Sequence, residues 1–333
     1  MRAPEFWNHK YGRESAPMLR TLLSPLGWLY ARATAKRLAD ADDIYDPHIP
    51  VISVGNASVG GTGKTPVSAY LLESLTRMGV RACVVTRGYG GREKGPMIVT
   101  KKHTAAQMGD EPLLLARHGR VWVAMDRGDG GRAAAAQGAQ IIILDDGHQN
   151  PSLVKTLSLL VVDAEIGFGN EYVFPAGPLR EPVKAALERT DAVILMKPYS
   201  EYKVDEDLLT QLKGKMVISA SLRPSMAVPA GKLYAFAGIG RPNKFFDALL
   251  RAGADLVESM PYANHYTYKE TDMKDLLELS QEYGAKLITT EKDYVRLPKA
   301  IQKLIHVWPV SVEFEDELSM RRLLHPLLPV AKR

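Results

Sequence analysis

Six short apolar runs, PVISVG (50–55), ACVVTR (82–87), VWVAMD (121–126), IIILDD (141–146), LLVVDA (159–164) and AVILMK (192–197), follow one another with helix-like segments between most of them. None alternates polar with apolar residues as a strand with one wet face would, so each has to be covered on both faces. A parallel sheet flanked by helices gives that cover, and its ligands gather at the carboxyl ends of the strands. A second α/β set follows a Pro- and Gly-rich stretch, SLRPSMAVPAGK (221–232). It comprises LYAFAGIG (233–240), ADLVESM (254–260) and AKLITT (285–290), with helical spacing from Lys244 to Ala252 and from Thr271 to Tyr283. The expected division is a core domain over 39–228 and a smaller α/β domain over 229–333. A chain of 333 residues with 46% hydrophobic side chains has enough apolar material for both.

The first strand leads into SVGGTGKTP (58–66), and an amphipathic helical pattern with Val67, Tyr70, Leu71, Leu75 and Met78 follows. Strand, Gly-rich turn and helix form the setting of a phosphate-binding loop, although the pattern G-x-x-x-x-G-K-[ST] has Gly where this chain has Ser58. The turn can be made by Gly60, Gly61 and Gly63, whose backbone N–H groups can converge on phosphate oxygens at a helix N-terminus. Ser58, Val59, Gly60, Gly61, Thr62, Gly63, Lys64 and Thr65 are thus the expected nucleotide-binding residues. Lys64 is suited to β/γ-phosphate charge and Thr65 to Mg²⁺.

IIILDDGHQ (141–149) is a strand ending in paired carboxylates, where Asp145, Asp146 or both can hold Mg²⁺ directly or through water. In GDEP (109–112), Asp110 reads as a base or orienter and Glu111 as a Mg²⁺ partner, but Asp before Glu-Pro is also an ordinary helix start. TRGYGG (86–91) and PAGPLREP (175–182) present Arg87 and Arg180, whose forked donors match phosphate oxygens. His265, in ANHYTY (263–268), falls in a polar and aromatic stretch after a strand.

Residues 1–38 hold seven Lys/Arg against Glu5 and Glu14, an excess equal to the formal net charge of the whole chain, +5. Within them Leu19, Leu22, Leu23, Leu26, Leu29, Tyr30 and Ala33 recur at helical spacing, and Ser24-Pro25 leaves open one long helix or two short ones. Such a basic, amphipathic segment suits a membrane surface, though it could equally pack on the protein's own core. No apolar run approaches the roughly 18 residues of a membrane span, and the polar start MRAPEFWNHKYGRE suggests no cleavable signal. The single cysteine, Cys83, reads as an inert core thiol in a reducing compartment.

SVGGTGKTP, TRGYGG, GDEP, DDGHQ, PAGPLRE, FAGIGRPNKFF (236–246), NHYTY and TTEKDYVRL (289–297) stand in the order seen in the tetraacyldisaccharide 4′-kinase (lipid A 4′-kinase) family, which the chain resembles over nearly its whole length. The resemblance implies a P-loop NTPase-type domain hinged to a smaller α/β domain, with the active site between them. It implies an enzyme at the cytoplasmic face of the inner membrane that uses ATP and Mg²⁺ to phosphorylate the 4′-hydroxyl of a tetraacylated disaccharide 1-phosphate, giving lipid IVA. The implied partners are that lipid, ATP and an anionic membrane surface, with no nucleic acid. Asp110 and His265 become the catalytic pair, with Thr65, Glu111, Asp145 and Asp146 around Mg²⁺, and Lys64 and Arg180 near the transferred phosphate. One departure is Asn264, where the family pattern carries an acid, and it shifts the role of base towards Asp110. Two other classes fit less well. A GTPase needs [NT]-K-x-D, but TEKD (290–293) has Lys and Asp adjacent, and a partitioning-type ATPase begins its loop with a lysine where this chain has Val59.

Overall fold

The computed structural model describes residues 4–329, so Arg2 of the basic segment and residues 330–333 lie outside it. The strands are β1 Val51–Gly55, β2 Ala82–Thr86, β3 Met97–Ile98, β4 Arg120–Val123, β5 Ile141–Asp145, β6 Leu157–Asp163, β7 Ala192–Lys197, β8 Met216–Pro224, β9 Lys232–Ala237, β10 Asp255–Pro261, β11 Lys286–Thr289, β12 His306–Val307 and β13 Val310–Phe314. They form a nine-stranded sheet in the order β13-β8-β7-β6-β1-β5-β2-β4-β3 and a four-stranded sheet in the order β10-β9-β11-β12. The six apolar runs become β1, β2, β4, β5, β6 and β7, parallel neighbours in the large sheet. β1 lies between β5 and β6, where the order of crossovers changes side, and such a point opens a crevice at the carboxyl ends of the strands.

The helix after β1, Lys64–Arg77 (α2), buries Val67, Leu71, Leu72 and Leu75 against the sheet, while Met78 of the expected apolar face is exposed just beyond its end. Leu71 shares a fully buried cluster with Ile52 and Ile143, so Leu71→Ala is expected to lower unfolding free energy by about 2–5 kcal/mol. A urea unfolding curve checks this; an unchanged midpoint would mean that α2 does not anchor the core. Cys83 is buried in β2, and burial pushes its thiol up to about 12, in keeping with an inert core thiol.

The C-terminal division differs from the expectation of one smaller unit over 229–333. β13 leaves the small sheet and pairs antiparallel with β8, with Val312 opposite Leu222. Phe314 meets the ring of Tyr70 on α2 at 4.8 Å, and Met320 and Leu324 of the following helix Glu317–Leu324 enter the large core. The physical reason is that β8, with Ile218 and Ala220 buried, would otherwise be the open edge of the large sheet.

Residues Pro17–Ala39 form one continuous helix (α1) despite Pro25. Pro25 has no N–H to give the carbonyl of Thr21, and the hydroxyl of Ser24 donates to that carbonyl instead at 2.8 Å. α1 rests on the 172–176 loop through Gly27, where an added Cβ would lie 2.6 Å from the Val173 carbonyl, and through Tyr30 on Phe174. Its opposite side leaves Met18, Leu22, Leu26 and Leu29 exposed, Leu22 by 75% and Leu26 by 52%. Among the described residues no helix is long and apolar enough to cross a membrane.

Candidate active site

The loop from Asn56 to Gly63 connects β1 to α2 at the crevice. Gly60 and Gly63 take φ of 134° and 97°, a left-handed region that suits glycine, and a Cβ at Gly60 or Gly61 would meet open space. Ser58 needs no such freedom because the PAGPLRE segment runs alongside it as a bridge. Val59 N donates to Pro178 O and Arg180 N to Ala57 O, both at 2.7 Å, with Ser58 opposite Leu179. The same pairing carries Arg180 into the crevice. The buried hydroxyl of Thr62 and the side-chain oxygen of Asn56 have no protein partner, leaving polar atoms of the loop available to a ligand.

Lys64 heads α2 with a side chain 13% exposed and its Nζ 3.5 Å from Asp146 Oδ1. Burial pulls its ammonium below the usual lysine range, opposed chiefly by Asp146. Arg180 Nη1 donates to both Asp146 oxygens at 2.9 and 3.0 Å and to Gln149 Oε1 at 3.2 Å. Burial works to raise the Asp146 carboxyl, but Lys64 and Arg180 outweigh it and hold the group at about 2. Its neighbour Asp145 is buried at the end of β5 and accepts from Ser68 Oγ at 2.8 Å. Burial and the nearby charge of Glu111 push Asp145 up to about 7. Glu111, Asp145 and Asp146 thus bring three carboxyl groups near Lys64 and the start of α2. Thr65 follows Lys64 in the first turn of that helix.

Asp110 begins the helix Asp110–Leu115 after Gly109, which takes φ 86° and packs so closely on Tyr89 that a Cβ would sit 2.4 Å from the Tyr89 carbonyl. The TRGYGG and GDEP segments are therefore in backbone contact, and Tyr89 faces the His265 ring at 5.7 Å. Arg87 itself stays exposed, without the ion pairs that hold Arg180. His265, at φ 57° beyond β10, brings Nδ1 to 3.1 Å from Asp110 Oδ2. Burial acts to raise the Asp110 carboxyl, yet the His265 hydrogen bond and the Arg296 charge hold it well below the usual carboxylate range. Asp110 Oδ1 accepts from the Glu111 N–H at 3.1 Å, but the residue before the helix is Gly109 and no side chain caps it, so Asp110 is the first helical residue rather than a cap, and its Oδ2 is turned to His265.

Several charged partners escaped the sequence. Lys292 binds Glu111 at 2.6 Å, and Arg296 Nε donates to Asp110 Oδ2 at 2.9 Å. On the other flank of the phosphate loop, Arg241 and Lys244 pair with Asp163 at the end of β6. Arg127, half-buried, is pulled below the usual arginine range by burial and by its neighbour Arg87. Lys292 and Arg296 lie in TTEKDYVRL and Arg241 and Lys244 in FAGIGRPNKFF, segments that carried no chemistry on their own.

The profile of the family described as "Tetraacyldisaccharide-1-P 4'-kinase" matches residues 19–328. A tetraacyldisaccharide 4'-kinase of Maricaulis maris is 47% identical over 332 residues, spanning 98% of this chain and 97% of the relative. One of Hyphomonas neptunium is 45% identical over 331 residues, spanning 98% of each. Among solved structures, LpxK of Aquifex aeolicus in complex with ATP superposes with a TM-score of 0.73 at 29% identity, covering 93% of this chain and all of that one. A crevice that gathers a phosphate loop, paired carboxylates and an Asp–His contact between two sheets agrees with these likenesses, and the chain belongs to the tetraacyldisaccharide-1-P 4'-kinase family.

Proposed function

We propose that the crevice transfers the γ-phosphoryl group of ATP to the 4′-hydroxyl of tetraacyldisaccharide 1-phosphate, giving lipid IVA in lipid A biosynthesis, with Asp110 and His265 receiving the acceptor. The observation that carries this reading is the Asp110–His265 contact, made between two sheets beside a phosphate loop. Lys64 and Arg180 bind phosphoryl oxygens: both hold Asp146, and an incoming phosphate can compete for them. Asp110, kept ionised, orients the acceptor hydroxyl and takes its hydrogen bond, and His265 holds the carboxylate in place. A phosphoryl transition state with little bond formation to the acceptor asks for alignment more than for a strong base, so a low carboxyl pKa is compatible with this role.

Mg²⁺ bound with ATP would neutralise charge between the β- and γ-phosphates. Thr65 and Asp145 or Asp146, with Glu111 beside them, would hold it. Burial, with the charge of Glu111 beside it, raises Asp145, and a bound cation would offset both. Among the described residues no three His, Cys, Asp or Glu side chains converge into a metal cage, and Mg²⁺ needs none when one or two carboxylates are joined by phosphate and water. With ATP labelled at the γ-position, label entering a solvent-extractable lipid only when the disaccharide is present is the expected result. Release as free phosphate alone would instead favour an ATPase switch of the partitioning type.

The outward apolar side of α1 and the positive charge around it fit peripheral attachment to the anionic, cytoplasmic face of the inner membrane. Basic residues contribute roughly 1 kcal/mol each near such a surface and are screened by salt. Apolar burial contributes about 25 cal/mol per Å² and is not screened. High salt is therefore expected to release the enzyme from anionic vesicles only in part, and salt with Leu22→Glu and Leu26→Glu to release most of it. Both side chains are exposed, so the melting temperature should hold. A variant that stays with the vesicles in sedimentation, or that melts early, would contradict a membrane-facing helix.

A further inference from the structure

We infer that Arg296 is a positioning residue for phosphoryl transfer: reaching from the small sheet, it grips Asp110 and fixes that carboxylate against His265. The inference rests on the reading of Asp110 as the group that receives the acceptor hydroxyl. Arg296 follows the short helix Glu291–Tyr294, and its side chain is 7% exposed. Its Nε donates to Asp110 Oδ2 at 2.9 Å, and its Nη1 donates to Gly238 O at 2.9 Å and Asp293 Oδ1 at 3.2 Å. The Gly238 carbonyl also accepts the backbone N–H of His265 at 3.0 Å, and the Gly238 N–H donates to Asp293 Oδ1 at 2.8 Å. Asp293 is fully buried and takes a further hydrogen bond from Tyr268 at 2.8 Å.

One peptide unit at the end of β9 therefore sets the places of both His265 and Arg296. Both then converge on the same oxygen, Asp110 Oδ2, while Oδ1 is occupied by the Glu111 N–H. A carboxylate held at both oxygens cannot turn about its own axis, and its remaining lone pair keeps one direction. Asp293 already supplies Arg296 with an acid partner inside the small sheet, so packing of that sheet alone does not call for the bond to Asp110. That bond spans the two sheets' sides of the crevice, so the orientation of Asp110 depends on a residue from the small-sheet side.

The test measures kcat, KM for ATP and for the lipid acceptor, and melting temperature for Arg296→Gln, Arg296→Lys, Asp110→Ala and the double variant Asp110→Ala/Arg296→Gln. A misplaced reacting group costs up to about 10²-fold, so Arg296→Gln is expected to lower kcat by 10- to 100-fold with KM for ATP little changed. Arg296→Lys, which keeps the charge but not the fork, is expected to recover part of the loss. In the Asp110→Ala background Arg296→Gln is expected to cost nothing more, because nothing is left to position. The same fold-loss in both backgrounds would overturn the inference and show a structural role. Should Arg296→Gln not fold, Arg296→Lys decides: wild-type kcat in that variant overturns the inference. Near-normal turnover of Asp110→Ala would remove the reading of Asp110 itself. A collapse of Asp110→Ala beside a fully active Arg296→Gln would remove only the role of Arg296.

Discussion

Asp110→Ala lowers kcat far more than it raises KM for ATP, by about 10²–10⁴, the range for loss of a positioned acid or base. The effect should sit in kcat because the side-chain hydrogen bonds of Asp110 go to His265, Arg296 and the Glu111 N–H and none goes to a residue of the phosphate loop. His265→Ala is expected to behave alike, since it removes the second donor to Asp110 Oδ2. The double variant should be barely worse than the weaker single one, as residues acting as a unit are not additive. Asp110→Asn keeps the shape and separates charge from packing. The Arg296 guanidinium retains Asp293 and the Gly238 carbonyl after either change, so no buried cation is stranded and the fold should survive. Steady-state rates beside a thermal melt check this. Effects of the two single variants that multiply would sink the idea of a coupled pair.

Lys64→Ala and Thr65→Ala are expected to lose turnover by about 10²–10³, the loss typical of one preorganised charge-stabilising group. The ammonium of Lys64 is nearly enclosed, and its paired acid, Asp146, keeps Arg180 when Lys64 is removed. The variant should accordingly stay folded, and its deficit should be chemical. Thr65→Ala removes a hydroxyl from the first turn of α2 and leaves that helix's buried face intact. Near-normal activity in either folded variant would remove the phosphate-loop assignment.

Much of the fold is written in the sequence because the strands around the phosphate loop are buried on both faces. Ile141, Ile142, Ile143 and Leu144 of β5 are all fully buried, and an unbroken apolar run has no other comfortable place. β8 and β13 are less legible. They are half-buried strands at one edge, and β13 reads as a short alternation that pairs across 86 to 94 positions of chain with β8. That long return is why the C-terminal residues of the expected smaller domain belong to the large sheet.

The site divides in the same way. The phosphate loop and Asp145–Asp146 are local and carry their context with them, a strand before and a helix or turn after. Asp110 was open to a cap or a catalytic reading because its partners, His265 and Arg296, lie 155 and 186 positions away. Local pattern cannot show which distant cation meets a given acid, and the long-range ion pairs of Lys292, Arg296, Arg241 and Lys244 were missed for that reason. Ser58 was a departure from the loop pattern until the structure paired it with Leu179 in an extended bridge that needs no glycine. The outward direction of Leu22 and Leu26 likewise depended on which side of α1 meets the 172–176 loop, a choice made by Gly27.

The most direct test of the account is the structure of the reaction product. After incubation with ATP, Mg²⁺ and tetraacyldisaccharide 1-phosphate, the extracted lipid is analysed by phosphorus–proton correlation. The account predicts one new phosphate coupled to the proton on carbon 4′ of the distal glucosamine, formed in step with ADP. ADP and free phosphate released without that signal, or a phosphate at another hydroxyl, would contradict it.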